Sequence, residues 1–164
     1  MKRDEFEVYK PRHLRLEEHL PKSDDATLIT LKGHLLVEEI LEEIILHYCR
    51  APEVLSGVEI AYFLKLRLAQ ALIGPKGAPD FVWEMAGALN SLRNELSHKL
   101  DSPKVAGKLD RFIGIYRSRY GRDTKMDKAS ELRVAIGFIL GALTFIETKV
   151  KTGRMPPALD EGDV

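Results

Sequence analysis

Two side chains suited to acid–base chemistry on a phosphate lie five residues apart in the segment LNSLRNELSHKL, residues 89–100. His98 carries an imidazole whose ordinary pKa lies close to neutrality, so it can take or give a proton at working pH. Arg93 carries a planar, permanently charged fork that grips a phosphate through parallel hydrogen bonds and stabilises charge growing there in a transition state. Asn94 precedes His98 by four residues, a spacing that makes the two adjacent on a helix, so the amide can orient the imidazole or share its ligand. Five residues turn an ideal helix by about 140°. Arg93 and His98 of one chain therefore do not meet on one small group unless the helix unwinds at Asp101-Ser102-Pro103. A two-fold axis that brings Arg93 of one copy to His98 of another solves the same problem.

The helix that must carry these residues has two unlike faces. Phe81, Met85, Leu89, Leu92, Leu96 and Leu100 form one apolar stripe, the expected core face. Opposite it stand Trp83, Gly87, Asn90, Asn94 and His98, with Ala86 and Ser97 beside them. A solvated face would carry Lys, Glu and Arg, whereas small and amide side chains let another backbone come near. These five residues are thus expected at an interface between two copies of the chain. The competing reading is a structural polar seam, with His98 capping the helix end and Arg93 paired to Glu95 or Asp101.

The run Arg93-Asn94-Glu95-Leu96-Ser97-His98 resembles the motif of the HEPN superfamily (higher eukaryotes and prokaryotes nucleotide-binding): Arg, a polar residue, three variable residues, then His. Upstream, LKGHLLVEEILEEIILHY, FLKLRLAQALIG and LNSLRNELSHKL are similar in order to the segments of the mannitol operon repressor-like (MltR-like) branch, across roughly residues 28 to 100. The resemblance implies a HEPN-like bundle and metal-independent RNA cleavage, without a cofactor, in a site composed across a homodimer. His98 would be the general base or acid for attack of a ribose 2′-hydroxyl on the adjacent phosphate, Arg93 would hold that phosphate, and Asn94 would position either. The products would carry a 2′,3′-cyclic phosphate and a 5′-hydroxyl. HEPN toxins silenced by tyrosine adenylylation have a Tyr two residues after the motif His; Leu100 stands there, so that control is not implied. Many members of the superfamily are regulators or interaction modules. The resemblance therefore implies two functions: an RNA-directed endoribonuclease of a stress, toxin or defence system, or a non-enzymatic MltR-like transcriptional regulator that contacts a protein partner through the same polar face or the acidic first helix.

Other clusters were weighed by the same chemistry. Glu38, Glu39, Glu42 and Glu43 with His47, and Glu95 with His98 as Glu-x-x-His, raise a di-iron bundle, but that design needs two such pairs and inward glutamates. A solvated or partner-facing acidic face is expected instead, and no metal. Arg117, Arg119, Arg122, Lys125 and Lys128, interleaved with Tyr116 and Tyr120, have the composition of a weak nucleic-acid-binding surface. Cys49 reads as a small apolar residue, since no orienting His and acid pair accompanies it. His13, His19, His34 and His47 receive no role.

The elements that position these residues are legible from periodicity and breakers. Residues 1–22 read as an N-terminal arm, 23–151 as one helical domain and 152–164 as a flexible tail. Ser23, Asp24 and Asp25 begin a long helix reaching about Arg50. Its second half buries Leu36, Val37, Ile40, Leu41, Ile44, Ile45 and Tyr48; Leu28, Leu31 and Leu35 fall on another side and call for a further partner. A second helix should span about Val58 to Ile73, stopped by Gly74-Pro75-Lys76-Gly77. Pro79 opens a third, to roughly Lys99, and Asp101-Ser102-Pro103 caps a fourth that stops near Tyr120-Gly121. Residues 127 to 151 form the last and most apolar helix, expected at the centre, with Gly137 and Gly141 admitting a close neighbour. No segment alternates with period two. The expected architecture is an all-α bundle of about five helices.

The formal net charge is zero, so no global field draws in nucleic acid, but the charge is uneven. Residues 24–62 carry eight acidic against two basic side chains, a net of −6, and residues 93–133 carry eleven basic against six acidic, a net of +5. Such asymmetry suits a local anion surface or charge matching within and between chains. One cysteine excludes an internal disulfide, the start MKRDEFEVYKPRH lacks a signal-peptide core, and the longest apolar run, AIGFILGALTFI, is short for a bilayer. A reducing cytoplasm, and no membrane, is the expected setting.

Overall fold

The computed structural model describes residues 14, 18–98, 103–121 and 125–154. Helix α1 is Ala26–Tyr48, a short 3-10 turn covers Pro52–Leu55, α2 is Tyr62–Ile73, α3 is Asp80–His98, α4 is Lys104–Tyr120 and α5 is Lys128–Lys151. Among the described residues no strand occurs, and these five helices form an all-α bundle.

Local chemistry explains where the helices begin and end. The Asp25 carboxylate accepts hydrogen bonds from the Thr27 and Leu28 amides at 2.9 and 3.1 Å, satisfying donors that open α1. Asp127 caps α5 in the same way, accepting from the Ser130 amide at 2.9 Å. The Pro79 carbonyl accepts from the Val82 amide as α3 starts. Gly74, at φ +70°, ends α2 in a left-handed conformation that glycine adopts without penalty. Helix α2 starts four residues later than periodicity suggests. Val58 to Ala61 run without helical bonds, and the Ala61 carbonyl accepts from both Leu64 and Lys65 to open the helix. β-Branched Val58 and Ile60 lower the helix propensity of this stretch. The expected caps Asp101 and Ser102 lie outside the described residues.

The core is shared mainly between α1 and α5. Leu36, Val37, Ile40, Leu41, Ile44 and Ile45 of α1 are buried, as are Leu132, Ala135, Ile136, Ile139, Leu140, Leu143 and Ile146 of α5. Each large side chain of this set removes enough apolar surface to contribute about 1.5–3 kcal/mol. The two helices come close at Gly33, where a Cβ would sit only 2.6 Å from Ile136 Cγ2. This corrects the expectation for one of the two α5 glycines: a Cβ at Gly137 would meet nothing within 4 Å. Helix α5 is central on one side only, since Val134 and Phe145 are exposed. By length and composition it could cross a membrane, but half of its most apolar stretch is buried in the bundle, as in a core helix.

The arm and tail are described in part. Leu20 packs on the core, and the Arg133 guanidinium donates to the carbonyls of Pro21 and Ser23 at 3.0 and 2.6 Å, tying residues 20–23 to α5. Residues 1–13 and 155–164 lie outside the described set.

Candidate functional site

Helix α3 buries Met85, Leu89 and Leu92 as the apolar stripe requires, with Phe81 and Leu96 half-buried. Its small polar face is packed too, but from within the chain. Trp83 is buried, Leu66 of α2 lies beside Gly87, and the Tyr62 hydroxyl donates to the Ala86 carbonyl at 3.1 Å. Asn90 Oδ1 lies 3.0 Å from His34 Nε2 of α1. Of the residues expected against a second copy, Gly87 and Asn90 are thus met by α2 and α1, because small residues at 86 and 87 admit α2 and the amide finds a buried imidazole, and Trp83 is buried within the chain. Of the two remaining residues of this face, Asn94 is half-buried, and the His98 side chain lies outside the described set.

His34 is the residue that sequence reasoning passed over. It is 3 % exposed and stacks on Tyr62, with ring centroids 4.2 Å apart and planes 25° apart. Its Nδ1 is 3.9 Å from a Glu38 oxygen. Burial holds its pKa below the usual histidine value; Asn90 and Glu38 push upward, and the Arg93 charge pushes down again. The neutral ring donates from Nε2 to the Asn90 oxygen, leaving Nδ1 unprotonated toward Glu38. Burial, with Glu38 nearby, drives the Tyr62 hydroxyl well above the ordinary phenol range, so it serves as a fixed donor. The sequence signal that would have found His34 is its i, i+4 relation to Glu38, together with the need of α3's amides for a polar partner.

Beside His34, Lys65 of α2 donates to Glu38 at 3.1 Å and to Glu42 at 2.8 Å. Burial alone would lower the pKa of this ammonium, but its bonds to Glu42 and Glu38 outweigh burial and raise it. Lys151 similarly bridges Glu43 and Glu147, each at 2.8 Å. The acidic face of α1 is therefore answered inside the chain. No group of three or more metal-capable side chains gathers among the described residues.

Arg93 and Asn94 stand at the open end of this cluster. The Arg93 guanidinium donates to Asn94 Oδ1 at 3.3 Å, and both side chains are half-buried. Glu95, one candidate carboxylate for Arg93, lies 3.9 Å from Lys108 of α4 instead, and Lys108 also donates to Ser91 at 2.6 Å. Asp101, the other candidate, lies outside the described residues. Among the described residues no carboxylate pairs with Arg93. His98 is the last residue of α3, and its side chain lies outside the described set. Chemically, the helix end offers a half-buried guanidinium, held by an amide and without a counter-charge among the described residues.

Of the five basic residues of the α4–α5 region, two are seen paired with carboxylates. Arg117 forms a two-pronged pair with Glu131, a buried carboxylate. Lys128 pairs with Asp110 at 2.7 Å, and the Arg119 guanidinium lies 4.8 Å over the Phe81 ring. Lys125 is exposed and Arg122 lies outside the described residues. Cys49 is half-buried against the core, as a small apolar residue would be. Comparison with protein-family models, with curated proteins and with solved structures finds no match to this chain.

Proposed function

We propose that the end of α3 is a phosphate-directed site and that the chain is a HEPN-type RNA-directed protein, a metal-independent endoribonuclease when two copies bring Arg93 of one to His98 of the other. The observation that carries this reading is the Arg93 guanidinium, half-buried, held by Asn94 and paired with no carboxylate among the described residues. A cation desolvated in this way gains most from an external anion. In the reaction, His98 takes the proton of a ribose 2′-hydroxyl, whose oxygen attacks the adjacent phosphorus while Arg93 binds the non-bridging oxygens. The bond to the 5′-oxygen breaks, that oxygen takes up a proton, and a 2′,3′-cyclic phosphate remains. The setting is a cytoplasmic stress, toxin or defence system.

The test is incubation of purified protein with varied single-stranded RNAs in a chelator, with analysis of the product ends. Cyclic phosphate and 5′-hydroxyl ends, lost in His98→Ala while the oligomeric state is kept, support the reading. Inactivity of the unaltered protein on every RNA removes the enzyme. A second reading then stands, a MltR-like regulator working through protein contact, favoured by the exposure of Leu35, Phe63 and Leu64 on α1 and α2. It predicts that Phe63→Asp releases a co-purifying partner.

A further inference from the structure

Four aromatic rings from three helices meet at the end of the bundle away from Arg93. Tyr116 and Tyr120, four apart on α4, stack with centroids 5.2 Å apart. Tyr120 lies 4.7 Å from Phe138 of α5, and Phe138 stacks at 5.9 Å on Phe81 of α3. A closed aromatic core would hide these rings, yet Tyr120 is 55 % exposed, and Gly137 beside Phe138 leaves open space. The Arg119 guanidinium lies over Phe81 and pairs with no carboxylate among the described residues. Residues 117–128 carry five basic against two acidic side chains. Arg117 and Lys128 are partly spent on Glu131 and Asp110, whereas Arg119 is not.

From this placement we infer that Tyr120, backed by Tyr116 and Phe138 and flanked by Arg119, is a base-stacking subsite for single-stranded RNA. The inference rests on the RNA-directed reading above and extends it to a second site. A flat ring held by two neighbours has already lost its rotamer freedom, so a base that stacks on it meets little further ordering cost. Arg119 supplies the positive charge that a passing phosphate needs, and its contact with Phe81 fixes where that charge lies. Phe81 and Arg93 lie twelve residues apart on α3, about 18 Å along its axis, so a strand several nucleotides long reaches both. A duplex keeps its base faces stacked inside and gains nothing from Tyr120. This subsite therefore selects unpaired RNA and sets how far from the cut a base is held.

Binding of a fluorescein-labelled oligouridylate, read by anisotropy on the full chain, tests the subsite. Tyr120→Ala and Tyr120→Leu should weaken binding roughly five- to a hundredfold, with Tyr120→Phe close to the unaltered protein. An abasic ribose-phosphate chain of equal length should bind all four proteins alike. Leu keeps apolar area at an exposed position, so its failure to substitute isolates the ring face from a folding defect, which circular dichroism checks independently. If Tyr120→Ala binds as the unaltered protein while Arg93→Ala binds more weakly, the subsite is overturned and the RNA reading survives. Absence of RNA binding by the unaltered protein overturns both. Should Tyr120→Ala instead dissociate an oligomer without changing RNA affinity, a second copy covers the ring and the subsite is overturned.

Discussion

At the scale of single residues, Arg93 and His34 divide the polar cluster between an open and a closed end. Arg93 keeps its charge without an internal carboxylate among the described residues, whereas His34 is enclosed by Asn90, Tyr62 and Glu38. If the guanidinium acts as a fork on phosphate, Arg93→Lys keeps the charge but loses the paired donors, and RNA affinity should fall about tenfold, read by anisotropy. For His34 the pH dependence has a definite sign. Its folded pKa is depressed below the ordinary value near 6.5, so the folded protein prefers the neutral ring. The stability tied to this group is complete above the unfolded pKa and is lost as pH falls from there toward the folded pKa. Urea unfolding between about pH 7.5 and pH 5 should show that loss, and His34→Gln should flatten it. Replacement of Asn90 by Ala leaves the buried Nε2 donor unsatisfied and should cost about 1–3 kcal/mol in the same assay.

At the scale of elements, the helices follow caps and breakers that the chain displays openly. Asp25, Pro79, Gly74 and Asp127 stand where helices α1, α3, α2 and α5 begin or end. What a helical wheel does not contain is the identity of the facing element. The small polar face of α3 was readable as packed, yet its neighbours are α1 and α2, through a His34–Asn90 pair separated by 56 residues. The same limit applies to close helix approach: the expectation named Gly137 and Gly141, whereas Gly33 meets Ile136 and Gly137 faces open space, since glycines look alike until packing is known. Two substitutions separate the sites. Gly33→Ala forces a Cβ against the stiff, β-branched Ile136 and should destabilise by about 1–3 kcal/mol despite its better helix propensity. Gly137→Ala enters open space in a helix interior and should stabilise by about 0.5–1 kcal/mol. Thermal or urea unfolding of the pair gives opposite signs if α1 and α5 meet at Gly33.

At the scale of the whole molecule, the segregation of charge along the chain is partly spent on internal matching. Lys65 and Lys151 answer the glutamates of α1, and Glu131 answers Arg117. Composition displayed the asymmetry but not its use, because charge counts carry no pairing information. Half-buried Arg93 stands toward one end of α3 and Phe81, in the ring cluster of the exposed Tyr120, at the other, with apolar Leu35, Phe63 and Leu64 exposed on α1 and α2. A single chain holds Arg93 and His98 about 140° apart around the helix, so the proposed chemistry belongs to an assembly of two copies. Mixing Arg93→Ala with His98→Ala protein tests this most directly. Each variant alone should be inactive on single-stranded RNA in chelator, and a mixture allowed to exchange subunits should regain cleavage to about a quarter of the unaltered level, because half the dimers are mixed and each rebuilds one of two sites. A mixture that remains as inactive as its parts, while subunit exchange is demonstrated, contradicts a site shared between copies.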